Sequence, residues 1–363
     1  MDRSRSRSAP AAPFATVVRL PEQWFILCRS SELGRRPLAR VLQGTPLALF
    51  RDGEGKARAL LDRCPHRNVP LSNGKVAEGG WLECGYHGWC FDGAGACRKV
   101  PGLQGEPEAS TRRVPAYATR EQDGFVWVYS TADAAPAREP FRFPHLATPG
   151  YSSVFRRYRV AASVHALVEN ALDVPHTAYL HGGLFRTSKK SNPIEVVVRT
   201  RPDSVEAEYL GEPAPRGLIG KVLAPGGGVV THFDRFLMPS VAQVEYRLGE
   251  TSHLYSTAAH TPVGDFDTEV WAVVTFRLPV PGWLVKPFVT PVVERIFAQD
   301  ARMLAQQTRT LQAFGAEQYA NTELDAIGPG ALRLMRKAAQ GGAPEVDAEA
   351  AEKVEERRFT MRA

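Results

Sequence analysis

Apolar positions between residues 24 and 129 come in short runs: WFILC at 24–28, LALF at 47–50, ARALL at 57–61 and FVWVY at 125–129. Gly, Asp and Pro interrupt them at intervals of roughly 8–12 residues, the signature of a small antiparallel β domain. Thr131–Pro144 (TADAAPAREPFRFP) follows neither a strand nor a helix period and is rich in Ala and Pro, so a linker is expected there. Val154–Val160 then predicts a strand, and Leu167, Ala171, Val174 and Ala178 give helical spacing through His165–Leu180. Strand-like runs return over 193–278 (IEVVV, VEAEYL, VVTHF, VAQVEY, HLYSTAAH, EVWAVVTF), and 284–317 and 331–356 read as helices. The expected fold class is α+β. A tail at 1–18 precedes an all-β domain at 19–130, a linker at 131–144, and a domain of antiparallel sheet and C-terminal helices at 145–363.

Composition narrows the class without selecting a function. The 363 residues are 44% hydrophobic and 23% charged, with 45 Lys and Arg against 39 Asp and Glu, a formal charge of +6. This is ordinary globular usage and excludes a disordered chain, a collagen and a coiled coil. Basic residues are scattered rather than gathered into a stripe, so no nucleic-acid partner is expected. No run approaches the ~20 apolar residues that span a bilayer. Met1–Pro13 (MDRSRSRSAPAAP) has no apolar core of the kind a secretory signal needs, so it reads as a fraying tail, with a transit peptide as the alternative. Five cysteines, four of them between 64 and 97, point to a metal site in a reducing, cytoplasmic setting rather than to a disulfide scaffold.

Two of those cysteines belong to paired hooks. Cys64-Pro65-His66 and Cys84-Gly85-Tyr86-His87 each present one thiol and one imidazole from a short loop. Zinc fingers usually segregate their ligands into C-x-x-C and H-x3–5-H pairs. Here each loop supplies one of each, as in a Rieske [2Fe–2S] centre, where two thiolates hold one iron and two imidazoles the other. A zinc site on the same four residues is the alternative. Tyr86 and Trp89 could shield such a centre or simply pack; Cys28 reads as core, and Cys90 and Cys97 show no ligand pattern.

A second constellation lies in 169–183 (ENALDVPHTAYLHGG). Asn170, Asp173 and His176 follow at i, i+3 and i+6, so consecutive members are neighbours on a helix surface. His181 lies about 140° further round an ideal helix, and Pro175 and Gly182-Gly183 offer the distortion that would let both imidazoles converge. Two imidazoles and one carboxylate form the facial triad that holds a non-haem Fe(II). A third ligand must come from elsewhere: Asp300, in the helical run ERIFAQDARMLAQQ, is the candidate, with Glu294 as the fallback.

With both motifs in this order, residues 20–315 resemble the oxygenase component of a Rieske non-haem iron oxygenase. The resemblance implies a [2Fe–2S] cluster on Cys64, His66, Cys84 and His87, and a mononuclear Fe(II) on His176, His181 and Asp300. It implies that Asp173 bridges an iron-ligating His to a cluster His of the neighbouring subunit, in a head-to-tail ring that is commonly a homotrimer. Asn170, three residues before that Asp, places the chain on the side of the vanillate and dicamba demethylases, pheophorbide oxygenase and steroid-ring monooxygenases. There is no GxGxxG fingerprint and no second cysteine set, so NAD(P)H electrons must arrive through a separate flavin reductase or ferredoxin. The implied reaction is O2-dependent hydroxylation or oxidative demethylation of a small apolar aromatic or polycyclic molecule. Ring dihydroxylation, desaturation, or electron transfer alone are the alternatives. Phe185, Phe233, Phe236, Leu237 and Met238 are candidate pocket walls, and Arg186, Lys189 and Lys190 could attract an acidic substrate.

Overall fold

The computed structural model describes residues 14–181, 193–212, 230–249, 251–341 and 354–362. The expectations for Met1–Pro13, Phe185, Arg186, Lys189 and Lys190 lie outside the described residues. Residues 14–18, assigned to the tail, are packed: the Thr16 amide donates to the Glu317 carboxylate at 3.1 Å, and Val18 is buried in the core.

The N-terminal region holds β1 (Trp24–Arg29), β2 (Leu38–Leu42), β3 (Thr45–Arg51), β4 (Ala57–Leu61), β5 (Lys75–Val76), β6 (Leu82–Glu83), β7 (Cys90–Phe91), β8 (Cys97–Lys99), β9 (Ala116–Gln122) and β10 (Phe125–Ala132). Six of these form one sheet in the order β1-β10-β9-β4-β3-β2, and β5 to β8 form a small four-stranded sheet. The apolar runs of the sequence are the strands of the larger sheet, buried on their central residues.

The second region is built on an eight-stranded antiparallel sheet of β11 (Ser152–Val160), β12 (Pro193–Arg201), β13 (Ser204–Leu210), β14 (Val230–Leu237), β15 (Val241–Leu248), β16 (Ser252–Gly264), β17 (Asp267–Arg277) and β18 (Glu355–Arg362). Its order is β11-β17-β16-β15-β14-β13-β12-β18. Helices α1 (Val164–Leu172), α2 (His176–Leu180), α3 (Gly282–Phe314) and α4 (Gly328–Ala339) accompany it. α1 packs on β14, β15 and β16, and α3 packs on β11. The expected helix over 331–356 is corrected: α4 stops at Ala339, before a left-handed Gly341, and Glu355–Arg362 pairs as an edge strand with β12. The charged run of Glu and Arg there reads as helical by composition, but Phe359 and Met361 alternate inward at a strand period.

The sheet is covered on both faces. Val270, Val274 and Phe276 of β17 face the helices, while Trp271 and Val273 pack with Trp24, Ile26, Phe125 and Trp127 of the N-terminal sheet. This double burial explains why EVWAVVTF loses polar alternation. Residues 131–144 join the regions as a packed strap: Phe143 is buried in the same cluster, and the Gln122 amide donates to the Phe141 carbonyl at 2.9 Å.

Candidate metal centres

The two Cys–His loops share one backbone design. Cys64 N–H donates to the Val69 carbonyl (2.9 Å) while its own carbonyl accepts from Asn68 (2.9 Å). Cys84 repeats this with Trp89 (2.8 Å) and Gly88 (3.0 Å). Closing such a loop requires positive φ at its fifth residue, supplied by Asn68 (+61°) and Gly88 (+69°). At Gly88 a Cβ would also stand 3.1 Å from Pro101 Cγ. The loops bring the His66 and His87 rings to 4.5 Å between centroids, and Trp89 stacks on His66 at 4.7 Å and 4°. Both sulfurs are buried; His87 and Tyr86 stand exposed.

The chemistry of the pocket fits an iron–sulfur group. Burial pushes the Cys64 thiol up to about 11, with Cys84 beside it adding to the rise, while the His66 and Arg67 backbone N–H groups favour the thiolate. Amides aimed at sulfur suit an anionic centre. His66 Nδ1 is buried with no hydrogen-bond partner, a cost that ligation removes. The remaining cysteines behave as core: burial raises Cys28 to about 12, and it also raises Cys90 and Cys97.

The second centre depends on a broken helix. The Ser163 hydroxyl caps α1 by accepting from Ala166 N–H at 3.3 Å. Pro175 disfavours helical geometry at Val174 and lacks an amide to donate, so the chain turns out at Asp173 (φ −91°, ψ 104°) and restarts as α2. His176 and His181 thereby meet Asp300 of α3, and one ligand atom from each lies within 4.8 Å of the others. His181 Nε2 is 3.1 Å and His176 Nε2 3.7 Å from Asp300 Oδ1.

Neighbouring groups set both imidazoles for ligation. His176 Nδ1 donates to the Asp173 carbonyl at 2.5 Å, and His181 Nδ1 to Gln299 Oε1 at 3.0 Å. Each ring therefore offers its Nε2 lone pair to the centre. His181 Nε2 and Asp300 Oδ1 are buried without partners. Burial raises the Asp300 carboxyl, against the pull of His181, His176 and a hydrogen bond from Asn170. Burial opposes charge on His176, but Asp173 and Asp300 outweigh it and raise the imidazole. A cation among these three groups would relieve all of these costs. The donor set of two nitrogens and one carboxylate fits iron.

All nine candidate residues thus fall into two clusters, and Glu294 falls in neither, pairing with Arg156 at 3.1 Å on the surface. Gln299 was not found from sequence, although it adjoins Asp300. The expected pocket walls divide: Phe236 is buried on the helix-bearing face, whereas Phe233 and Leu237 point the other way because a strand alternates its faces. Met238, just past β14, packs on the same core as Phe236.

Residues 23–118 match the Rieske [2Fe-2S] domain family, and residues 160–341 match the vanillate O-demethylase oxygenase C-terminal domain family. The chain is 30% identical over 287 residues to the oxygenase component of dicamba O-demethylase from Stenotrophomonas maltophilia, covering 78% of this chain and 74% of that protein. It is 27% identical over 336 residues to the vanillate O-demethylase oxygenase subunit of Pseudomonas sp. strain HR199, covering 86% of this chain and 92% of that one. A crystal structure of dicamba monooxygenase bound to dicamba superposes with a TM-score of 0.72 at 23% identity, over 89% of this chain and 98% of that chain. The zinc alternative for the four loop residues falls with the first match. Two family matches in one chain, and a relative that similar over most of both lengths, show that this protein belongs to the Rieske-type oxygenase family, as an oxygenase component of its monooxygenase branch.

Proposed function

We propose that this chain hydroxylates or oxidatively demethylates an apolar aromatic or polycyclic small molecule. Cys64, His66, Cys84 and His87 would hold the cluster, and His176, His181 and Asp300 a mononuclear Fe(II). The cluster and the ferrous ion supply stored electrons and an open coordination site for reductive O2 activation. Reducing equivalents come from NAD(P)H through a separate flavin reductase or ferredoxin. The balance is substrate C–H, O2, NAD(P)H and one proton going to C–OH, water and NAD(P)+. On an O- or N-methyl group the product collapses to formaldehyde and the demethylated heteroatom.

The chain's own residues prepare this chemistry. Asp173 and Gln299 lock the imidazoles, and Asn170 holds the Asp300 carboxylate. The observation that carries the reading is the convergence of His181 Nε2 and Asp300 Oδ1, buried and unpartnered, on one point. The ring assembly, commonly a trimer, draws support from His87 exposed at the cluster and the Asp173 side chain reaching solvent beside His176. Asp173 would then accept from a cluster His of the neighbouring subunit and carry electrons between the centres. The free cysteines suit a reducing cytoplasm, and no described helix is long and apolar enough to cross a membrane.

Iron and acid-labile sulfide analysis of anaerobically purified protein, with EPR after dithionite reduction, tests this. About three irons and two sulfides per chain are expected. Asp300→Ala should lose one iron and keep the cluster signal, and an unchanged iron content would remove Asp300 from the ligand set. Asp173→Ala should keep both metals yet turn over far more slowly.

A further inference from the structure

The start of α3 turns apolar side chains outward. Residues 278–293 (LPVPGWLVKPFVTPVV) contain one charged residue, Lys286. Such a run ordinarily belongs in a core, yet Trp283 is 71% and Leu284 46% exposed, and Val280, Pro287, Pro291 and Val292 are exposed beside them. The helix is held by its other side: Val285 packs with Val154, Val274 and Phe276 of the sheet, and Phe297 stacks on Tyr158 at 4.3 Å. A Cβ on Gly282 would collide with Ser152 Oγ, so the helix start is pressed onto β11. A cleft of about 200 Å³, walled by Phe276, Leu278, Val280 and Pro281, continues the apolar surface inward at the root of the segment.

The rim of this face is cationic. Arg277 and Arg295 are exposed, and neither they nor Lys286 form an ion pair among the described residues. Glu294, the first acid beyond the run, is neutralised by Arg156 at 3.1 Å. No described helix is long and apolar enough to cross a membrane, and an exposed apolar run this short suits the plane of a lipid interface rather than a span. Pro287 and Pro291 have no amide to donate to the carbonyls one turn earlier. Those carbonyls need water or headgroups, which a bilayer surface supplies and a dry protein contact does not. Trp flanked by Lys and Arg suits the headgroup layer, where the ring sits at the boundary and the cations reach phosphate, whereas protein interfaces are depleted in Lys. Two copies joined symmetrically through this face would set Arg277, Lys286 and Arg295 against themselves.

We propose that the corner at residues 280–292 docks this protein on a bilayer surface bearing anionic lipid, with Trp283 and Leu284 at the boundary of headgroups and acyl chains and Arg277, Lys286 and Arg295 on lipid phosphate. The inference goes beyond the oxygenase reading and does not depend on it. Docking sets Asp300 about 25 Å along the same helix from the layer in which apolar molecules collect.

Flotation of the full-length holoprotein with vesicles tests this, using phosphatidylcholine alone and phosphatidylcholine with about a third phosphatidylglycerol. Binding is expected at least about tenfold tighter on the anionic vesicles at low salt, with the difference shrinking at high salt. Trp283→Glu should weaken that binding at least about tenfold while the visible absorption spectrum and the oligomer size stay as in the wild type. Lys286→Glu should lose part of the preference for anionic lipid. Lipid brominated in its acyl chains should quench the tryptophan fluorescence of the wild type, and Trp283→Phe, a mild change at an exposed position, should remove that quenching while the protein still floats. Absence of binding to the anionic vesicles, equal binding by Trp283→Glu, or quenching that survives Trp283→Phe overturns the proposal. So does a lipid-free assembly, seen by analytical ultracentrifugation, that Trp283→Glu takes apart, because a second copy would then cover this face.

Discussion

At the scale of single residues, this protein spends polar side chains on aiming other polar side chains. Gln299 Oε1 accepts a hydrogen bond from His181 Nδ1, and that bond decides which ring nitrogen faces Asp300. Gln299→Leu should weaken iron binding at the mononuclear centre about 10- to 100-fold, measured by chelator competition, with the cluster EPR unchanged. Glu245 is a different case, far from any cofactor role. Burial pushes its carboxyl up, but hydrogen bonds from Arg235, His253 and Arg247 outweigh this and hold it down at about 2. A carboxyl depressed on folding adds stability above its ordinary range, and that stability is lost as pH falls through the folded value. Denaturant titrations should thus show wild type losing on the order of 3 kcal/mol between about pH 5 and pH 2, and Glu245→Gln losing clearly less over the same interval. The Cys–His hooks and the His176–His181 pair were legible in the sequence as candidate ligands because their spacing is local. Gln299 was not, because its partner stands 118 positions away in no repeating pattern.

Among elements, the decisive event is an interruption. Helical spacing over His165–Leu180 is real, yet the chain uses two helices with Asp173 to Pro175 between them. A continuous helix would leave His176 and His181 on different sides. Pro175→Ala removes the barrier to continuity, and it should lower iron occupancy at the mononuclear centre while leaving sulfide content unchanged. The C-terminal strand is the other element that sequence period misjudged. Its anchor is Met361, buried against the core beside Ile194. Met361→Ala should cost roughly 2–5 kcal/mol of stability, read from the urea midpoint. A shift no larger than that of an exposed substitution such as Arg362→Ala would mean that β18 is dispensable.

For the whole molecule, the two regions are bound by shared cores rather than by a flexible joint. One buried cluster runs from Leu20 and Phe25 to α1 and Met361, and a second surrounds Trp271 with Trp24, Trp127 and Phe143. The Thr261 hydroxyl donates across the boundary to the Ile26 carbonyl at 2.6 Å and accepts from Trp271 Nε1 at 3.1 Å. Calorimetry should accordingly show one cooperative transition. Trp271→Ala should lower stability by about 3–5 kcal/mol and split that transition in two, and a wild-type trace with two separate peaks would contradict the shared core.

Local order in the chain determined a good deal. Cys–His spacing on two short loops pointed to a [2Fe–2S] site, a His pair beside Pro175 to a second, candidate metal centre, and runs bounded by turn residues to a β domain followed by sheet and helices. Each signal lies within a window of twenty or so residues, where covalent geometry already limits what can meet. Only the tertiary structure decided the rest. Asp300 lies 119 positions from His181, and its preference over the fallback Glu294 was given geometry only by the placing of α3 against the helices that carry the histidines. Which side of β14 carries Phe236 and Asp234 and which carries Phe233 follows from strand parity together with the helix laid above it. No local pattern records which face of a sheet a helix will cover, because that choice is made by burial summed over the whole core.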